Sequence, residues 1–250
     1  MTRTTSARPR KTKGIVSSDA RLDRYDWDEI RSALNENGSA VIGKLLTPKE
    51  CRALVALYDD EKRFRRHIVM AQHGYGQGEY KYFAYPLPAP VAGLRGAFYA
   101  RLAPLANDWN RSLRIARRFP RTHAAFVKQC HLAGQTRPTS LLLRYGPGDY
   151  NRLHQDVYGA HLFPIQVAVL LSDPANDFTG GEFVLTEQRP RMQSRAEVVP
   201  LRQGDAVAFA VNDRPVAGTR GTYRVKMRHG VSRLRSGART TLGIIFHDAT

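Results

Sequence analysis

The sequence predicts an α+β protein built on a double-stranded β-helix, or jelly-roll, core of about eight strands, supported by N-terminal helices. Two observations predict it. From Thr139 onward, short β-type segments alternate with turn residues, at 139–145, 150–157, 163–171, 182–186, 196–201, 206–211, 222–229 and 240–246. Gly180-Gly181, Gly204-Asp205 and Asp213 to Pro215 mark turns between them. Before Thr139, apolar residues recur at helical spacing behind caps. The 250 residues suffice for one sizeable core, and no internal repeat is visible.

Residues 1–24 are basic, with Arg3, Arg8, Arg10, Lys11, Lys13, Arg21 and Arg24, and poor in apolar residues. They read as a flexible basic arm, either tracking phosphates or simply a disordered end. A single domain then spans 25–250, with helical support over 25–138 and the jelly-roll core over 139–250. Asp26 caps a first helix carrying Trp27, Ile30, Ala33 and Leu34, with Gly38 beyond its end. A strand at Ala40 to Ile42 follows. Thr47-Pro48-Lys49-Glu50 combines a capping Thr, Pro at the first helical position and Glu three residues on.

Residues 67–88 carry three alternate glycines and a crowd of aromatics. Two readings stand: a loop that folds over a substrate, or an edge hairpin whose rings pack on the core. Residues 91–119 predict a helix, split or kinked at Pro104. Its polar side carries Arg95, Arg101, Arg111, Arg114, Arg117 and Arg118, a row that is either solvated or phosphate-facing.

A net charge of +17 favours a polyanionic partner, with a merely solvated Arg-rich surface as the alternative. Two cysteines form no disulfide framework or zinc set, which predicts a reduced, cytoplasmic setting. No apolar run approaches the roughly 18 residues of a membrane span, so no membrane partner is expected.

The chemistry concentrates in Arg144 to Asp156. His154 and Asp156 stand two apart, so on a strand both side chains face the same way. Imidazole and carboxylate are two members of a 2-His-1-carboxylate iron site. Of the eight histidines, His229 is the best placed third ligand, late in the β block. Arg239 follows ten residues later, where a guanidinium can grip a carboxylate with two parallel hydrogen bonds. Three ligands on one face of Fe(II) leave room for a bidentate 2-oxo acid and molecular oxygen. Arg233 and Arg235 are alternative carboxylate anchors or phosphate contacts. His161 reads as a second layer around the metal or an ordinary core or surface residue, and Gln155 as pointing away.

His154, Asp156, His229 and Arg239 together resemble the signature of the 2-oxoglutarate/Fe(II)-dependent dioxygenase superfamily. Arg144-Tyr145-Gly146-Pro147-Gly148 with Leu153-His154-Gln155-Asp156 is similar to the corresponding segment of AlkB-type nucleic-acid demethylases. That resemblance implies that Tyr145 hydrogen-bonds 2-oxoglutarate. Gly180-Gly181-Glu182-Phe183 looks like the Gly-Gly turn of prolyl-hydroxylase-type members. The chain departs from the AlkB pattern at Leu143, where an Asn is usual, and at Ile245, where a second Arg is usual. As a whole it resembles bacterial oxygenases catalogued as acting on damaged DNA by oxidative demethylation.

From Arg214 to Arg239 the chain also has Arg220, Arg224, Lys226, Arg228, Arg233 and Arg235, with no acid among these basic residues. This run, the arm and the helical row imply a positive surface leading to the iron. The expected activity is therefore oxidative dealkylation of damaged nucleic acid, DNA first and single-stranded DNA within that. The alternatives are a protein or small-molecule hydroxylase using the same iron chemistry, and a non-catalytic nucleic-acid-binding jelly roll.

Overall fold

The computed structural model describes residues 17–157, 159–219 and 221–250. Five α-helices occur among them: α1 (Ser18–Leu22), α2 (Trp27–Asn37), α3 (Pro48–Val55), α4 (Ala89–Ser112) and α5 (His123–Leu132). The early strands are β1 (Ser39–Ile42), β2 (Phe64–Val69), β3 (Gly76–Gln77) and β4 (Glu79–Phe83). Next come β5 (Leu141–Tyr145), β6 (Tyr150–His154), β7 (Ile165–Leu170), β8 (Phe178–Gly180), β9 (Phe183–Gln188) and β10 (Arg195–Val199). The last are β11 (Ala206–Ala210), β12 (Asp213–Gly218), β13 (Gly221–Val231), β14 (Leu234–Gly237) and β15 (Arg239–Ile244).

The larger sheet has the order β1-β11-β7-β15-β5-β4-β2, the smaller β10-β9-β13-β6-β3 with β12 beside β13. The pairs are antiparallel throughout. This is the double-stranded β-helix that the strand pattern predicts. The large sheet is buried on both faces, so its central strands are apolar almost throughout. Val167, Val169, Leu142 and Ile244 pack with the helices, while Ala168, Val207 and Phe209 pack with Phe183 and Leu185 of the smaller sheet.

The caps form as the sequence predicts. Asp26 accepts from the amides of Asp28 and Glu29 at 2.9 and 3.1 Å, and Thr47 and Glu50 close a capping box. Elsewhere long-range pairing overrides local reading. Residues 17–24 of the expected arm are ordered, whereas 1–16 lie outside the described residues. Leu22 is fully buried, Arg21 donates to Glu50 at 3.0 Å, and Asp19 and Asp23 pair with Arg101. The expected strand at 40–42 is β1 of the large sheet, and the 25–138 segment further contributes β2 and β4 to that sheet and β3 to the smaller one. Pro104 lies inside an unbroken α4, which stops at Ser112 rather than near 119, and α5 was not anticipated. The stretch from Asp213 to Pro215, expected as a turn, opens β12.

The helical arginine row is not one phosphate-facing surface. Arg95 is buried and donates to the carbonyls of Ile245, Phe246 and His247 at 2.7, 3.2 and 3.1 Å, and to the Asp248 carboxylate at 2.6 Å. Arg111 pairs with Asp108 and Arg117 contacts His161. Arg214 is likewise buried and donates to the carbonyls of Asn35 and Glu36 at 2.6 and 3.0 Å, closing the end of α2. No helix among the described residues is long and apolar enough to cross a membrane.

Two stability predictions follow from this packing. Arg95→Met removes the cation paired with buried Asp248 and the donor to three buried carbonyls, and should lower the unfolding free energy by about 3–5 kcal/mol in denaturant titrations. Arg111→Met, at an exposed pair, should cost under about 1 kcal/mol. Burial holds the imidazoles of His123 and His247 down at about 4, below the ordinary 6.5. Below the unfolded value the unfolded chain binds protons that the folded chain refuses. The stability these two groups contribute is therefore full above about pH 6.5 and is lost as pH falls towards about 4. His123→Gln keeps a donor for the Phe246 carbonyl, which His123 Nε2 meets at 2.8 Å. That variant should flatten the decline in denaturation midpoints between pH 7 and 4.

Candidate metal centre and its cavity

β13 lies antiparallel between β9 and β6, and its register sets His229 opposite His154. The two rings stand 4.2 Å apart between centroids. Immediately after His229 the register shifts, and at Gly230 a side chain would lie 2.7 Å from the Asn151 carbonyl. Only a residue without Cβ lets the two strands close here. β6 ends at His154, so the loop after it, not a continued strand, brings Asp156 back to the same side. One Asp156 oxygen lies 3.5 Å from His154 Nε2 and the other 3.5 Å from His229 Nε2. One ligand atom from each of the three lies within 4.8 Å of the others.

The protonation states suit a cation. His154 Nδ1 sits 2.7 Å from the Arg152 carbonyl, which places the proton on Nδ1 and leaves the Nε2 lone pair facing Asp156. Burial, then the neighbouring His229, pushes the His154 imidazole down, keeping it neutral. Burial alone would push the Asp156 carboxyl up. The hydrogen bond and charge of His229, with His154 and Gln166, outweigh it and hold the carboxylate ionised. Two imidazoles and one carboxylate form a donor set for a divalent first-row metal. Gln155 points away, donating to Asn212 at 2.9 Å and to the Met227 carbonyl at 2.8 Å.

The centre opens into a cavity of about 670 Å³ between the sheets. Tyr145 ends β5 and Arg239 starts β15, and the two are register partners in the cavity wall. Arg239 is 2% exposed. It donates to Thr241 at 2.8 Å and lies 5.6 and 6.0 Å from the rings of Tyr145 and Phe178. No carboxylate of the described residues makes an ion pair with it, and its Nε has no hydrogen-bond partner. Gly181, at φ +65°, leaves room for this side chain, since a Cβ there would meet Arg239 Cδ at 3.0 Å. Burial pushes the Tyr145 phenol up to about 12, so its hydroxyl stays a donor.

The fold brings to one cavity the four residues read from spacing, His154, Asp156, His229 and Arg239, together with Tyr145, which the resemblance names. Arg233 and Arg235 are exposed and lie outside its lining, as does His161. Gln166, buried beside Asp156, was missed; its signal was a lone amide among the apolar residues of β7. The 67–88 stretch is built into the sheets as β2, β3 and β4, and Tyr80 and Tyr82 line the cavity. The basic run does not surround the metal centre. Arg224, Lys226 and Arg228 alternate with buried Val225, Met227 and His229, and so face away from the cavity. Arg220 lies outside the described residues.

The solved structures that this fold resembles include a prolyl-4-hydroxylase of Pseudomonas putida, 14% identical, covering 87% of this chain and 96% of that one, with a TM-score of 0.51. Another is an oxidoreductase of the 2OG-Fe(II) oxygenase family from Burkholderia pseudomallei, 16% identical, covering 91% of this chain and 94% of that one, with a TM-score of 0.50. At such identities the likeness is one of fold. Two uncharacterized proteins of Mycobacterium tuberculosis, from strains CDC 1551 / Oshkosh and ATCC 25618 / H37Rv, are each 47% identical over 167 residues, 67% of this chain and 72% of theirs. The model of one family matches residues 78–249, from Gly78 beside Tyr145 to the end of the cavity wall. That family is Oxygenase-NA, described as an oxygenase catalysing oxidative methylation of damaged DNA, and the chain belongs to it.

Proposed function

We propose that the protein is an Fe(II)- and 2-oxoglutarate-dependent dioxygenase that dealkylates damaged nucleic acid by oxidation. The observation that carries this reading is Arg239, a buried guanidinium without an acidic partner in the same cavity as a His-Asp-His donor set. A buried cation left unpaired is costly, by several kcal/mol, unless a ligand neutralises it. A dicarboxylic 2-oxo acid would do so while presenting its other end to the metal.

His154, Asp156 and His229 would hold the iron. When bound, the iron couples decarboxylation of 2-oxoglutarate to oxidation of a substrate C–H bond. Arg239 receives the far carboxylate through N–H donors, oriented by Thr241 and by Phe178 and Tyr145. Tyr145 donates a hydrogen bond from its hydroxyl to the same carboxylate. Apolar Leu234 and Phe178 keep this end dry, which strengthens each of these contacts.

For the substrate, support comes from the net charge, the family description and the tyrosine-lined reach of the cavity. Alkylated single-stranded DNA is the first candidate, because a base must leave the stack to enter. A second reading, hydroxylation of a peptide or small molecule, is favoured by the Gly180-Gly181 turn beside one anchoring arginine. Fe(II), 2-oxoglutarate and methylated single-stranded DNA should release formaldehyde, whereas a +16 Da peptide product would favour the second reading. His229→Ala should abolish iron binding by titration and turnover with it. Arg239→Met should raise KM for 2-oxoglutarate by about 10²-fold or more, as expected for loss of a charged, buried partner, with iron affinity retained.

A further inference from the structure

The far end of the cavity carries arginines that neither the metal centre nor the Arg239 end uses. Arg65 and Arg66, on β2, and Arg137, before β5, line it together with Tyr82. Adjacent residues on a regular strand point to opposite faces. Here the β2–β4 register shifts between Phe64 and Arg66, one extra residue on β2, and both arginines reach the cavity. A bulge re-aims a side chain in this way.

None of the three makes an ion pair among the described residues, unlike Arg63 beside them, which pairs with Asp60 at 2.8 Å. Arg65 is held in place: its Nε donates to the Pro138 carbonyl at 2.8 Å, and its guanidinium lies 4.6 Å from the centre of the Tyr82 ring. Burial pushes it below its ordinary value; Tyr82 and Asp248 offset part of this, and the charges of Arg137 and Arg66 add to it. Three like charges gathered in one cavity wall, with only the buried Asp248 carboxylate acting on Arg65 and no ion pair to any of them, are unfavourable unless a further anion joins them.

We infer that Arg65, Arg66 and Arg137 form a phosphate-binding rim that grips the backbone phosphodiesters flanking the nucleotide whose base enters the cavity. The inference rests on the nucleic-acid reading above and assigns that recognition to this rim rather than to the basic run of β13. Phosphates of a strand and of a free nucleotide share this chemistry; the rim's reach over adjacent residues of an edge strand favours a strand.

The test is fluorescence anisotropy of the full chain with a labelled, methylated single-stranded oligonucleotide, between 50 and 300 mM salt. Arg66→Gln and Arg137→Gln, both at exposed positions, should each weaken binding about 3- to 10-fold. Each should also reduce the slope of log affinity against log salt by about 0.7, one phosphate contact on a single strand. Arg65→Lys keeps the charge and loses the oriented fork, and should fall between these and the unsubstituted protein. The combined Arg224→Gln, Lys226→Gln, Arg228→Gln protein should keep the parent slope.

Rim variants with the parent slope, beside a parent protein that binds in a salt-dependent way, would overturn the rim and leave the nucleic-acid reading standing. So would equal losses from the β13 substitutions, which would mean diffuse attraction. Competition by a methylated nucleoside monophosphate as strong as by the oligonucleotide would overturn the assignment to a strand. A parent protein that binds no oligonucleotide even at 50 mM salt would overturn the nucleic-acid reading itself. Thermal melting of each variant separates a lost contact from a lost fold.

Discussion

A short registered pairing, His154 opposite His229 and Asn151 opposite Val231, joins β6 to β13 and decides the geometry of the cavity. Each strand alone carries one imidazole, and neither has a way to form a site. Paired, they set two rings 4.2 Å apart at a 48° tilt, and the loop after β6 swings Asp156 across both. The close approach at Gly230 permits the pairing, and β9 on the other side of β13 holds it from behind. Shifting the register by one residue would send His229 to the solvent face, where Arg228 now stands.

Three buried arginines show how the same side chain serves different ends. Arg95 and Arg214 are surrounded by carbonyls and a carboxylate, so their burial is neutralised within the chain and ties the helices to the sheets. Arg239 has one hydroxyl. The difference separates cations neutralised within the chain from one that has no acidic partner among the described residues. The rim at Arg65, Arg66 and Arg137 repeats the imbalance at the cavity's other end, in a more solvated setting.

Local signals were legible wherever the physics is local. Caps at Asp26 and Thr47 and the β segments after Thr139 appear where the sequence predicts them. So does the Gly-Gly turn, whose second residue packs on the Arg239 stem. Charge patterns misled because they ignore partners. Arg21 and Arg101 looked like free cations, but each meets acids far away in sequence. Gln166 escaped notice because its meaning lies in a neighbour ten residues away across the barrel interior.

The sequence by itself determined the donor set, since the types and spacing of His154, Asp156, His229 and Arg239 already imply a carboxylate-binding metal chemistry. It also indicated the capped helices α2 and α3 and eight of the strands after Thr139, through apolar periodicity and caps, but not α5, β8, β12 or β14. Only the tertiary structure decided which of the many arginines face the cavity, which are neutralised in the core and which face outward on β13. Desolvation and counter-charge are properties of a residue's surroundings in space. A strand register, a single bulge in β2 and the burial of one guanidinium set them, and none of these can be read from neighbours along the chain.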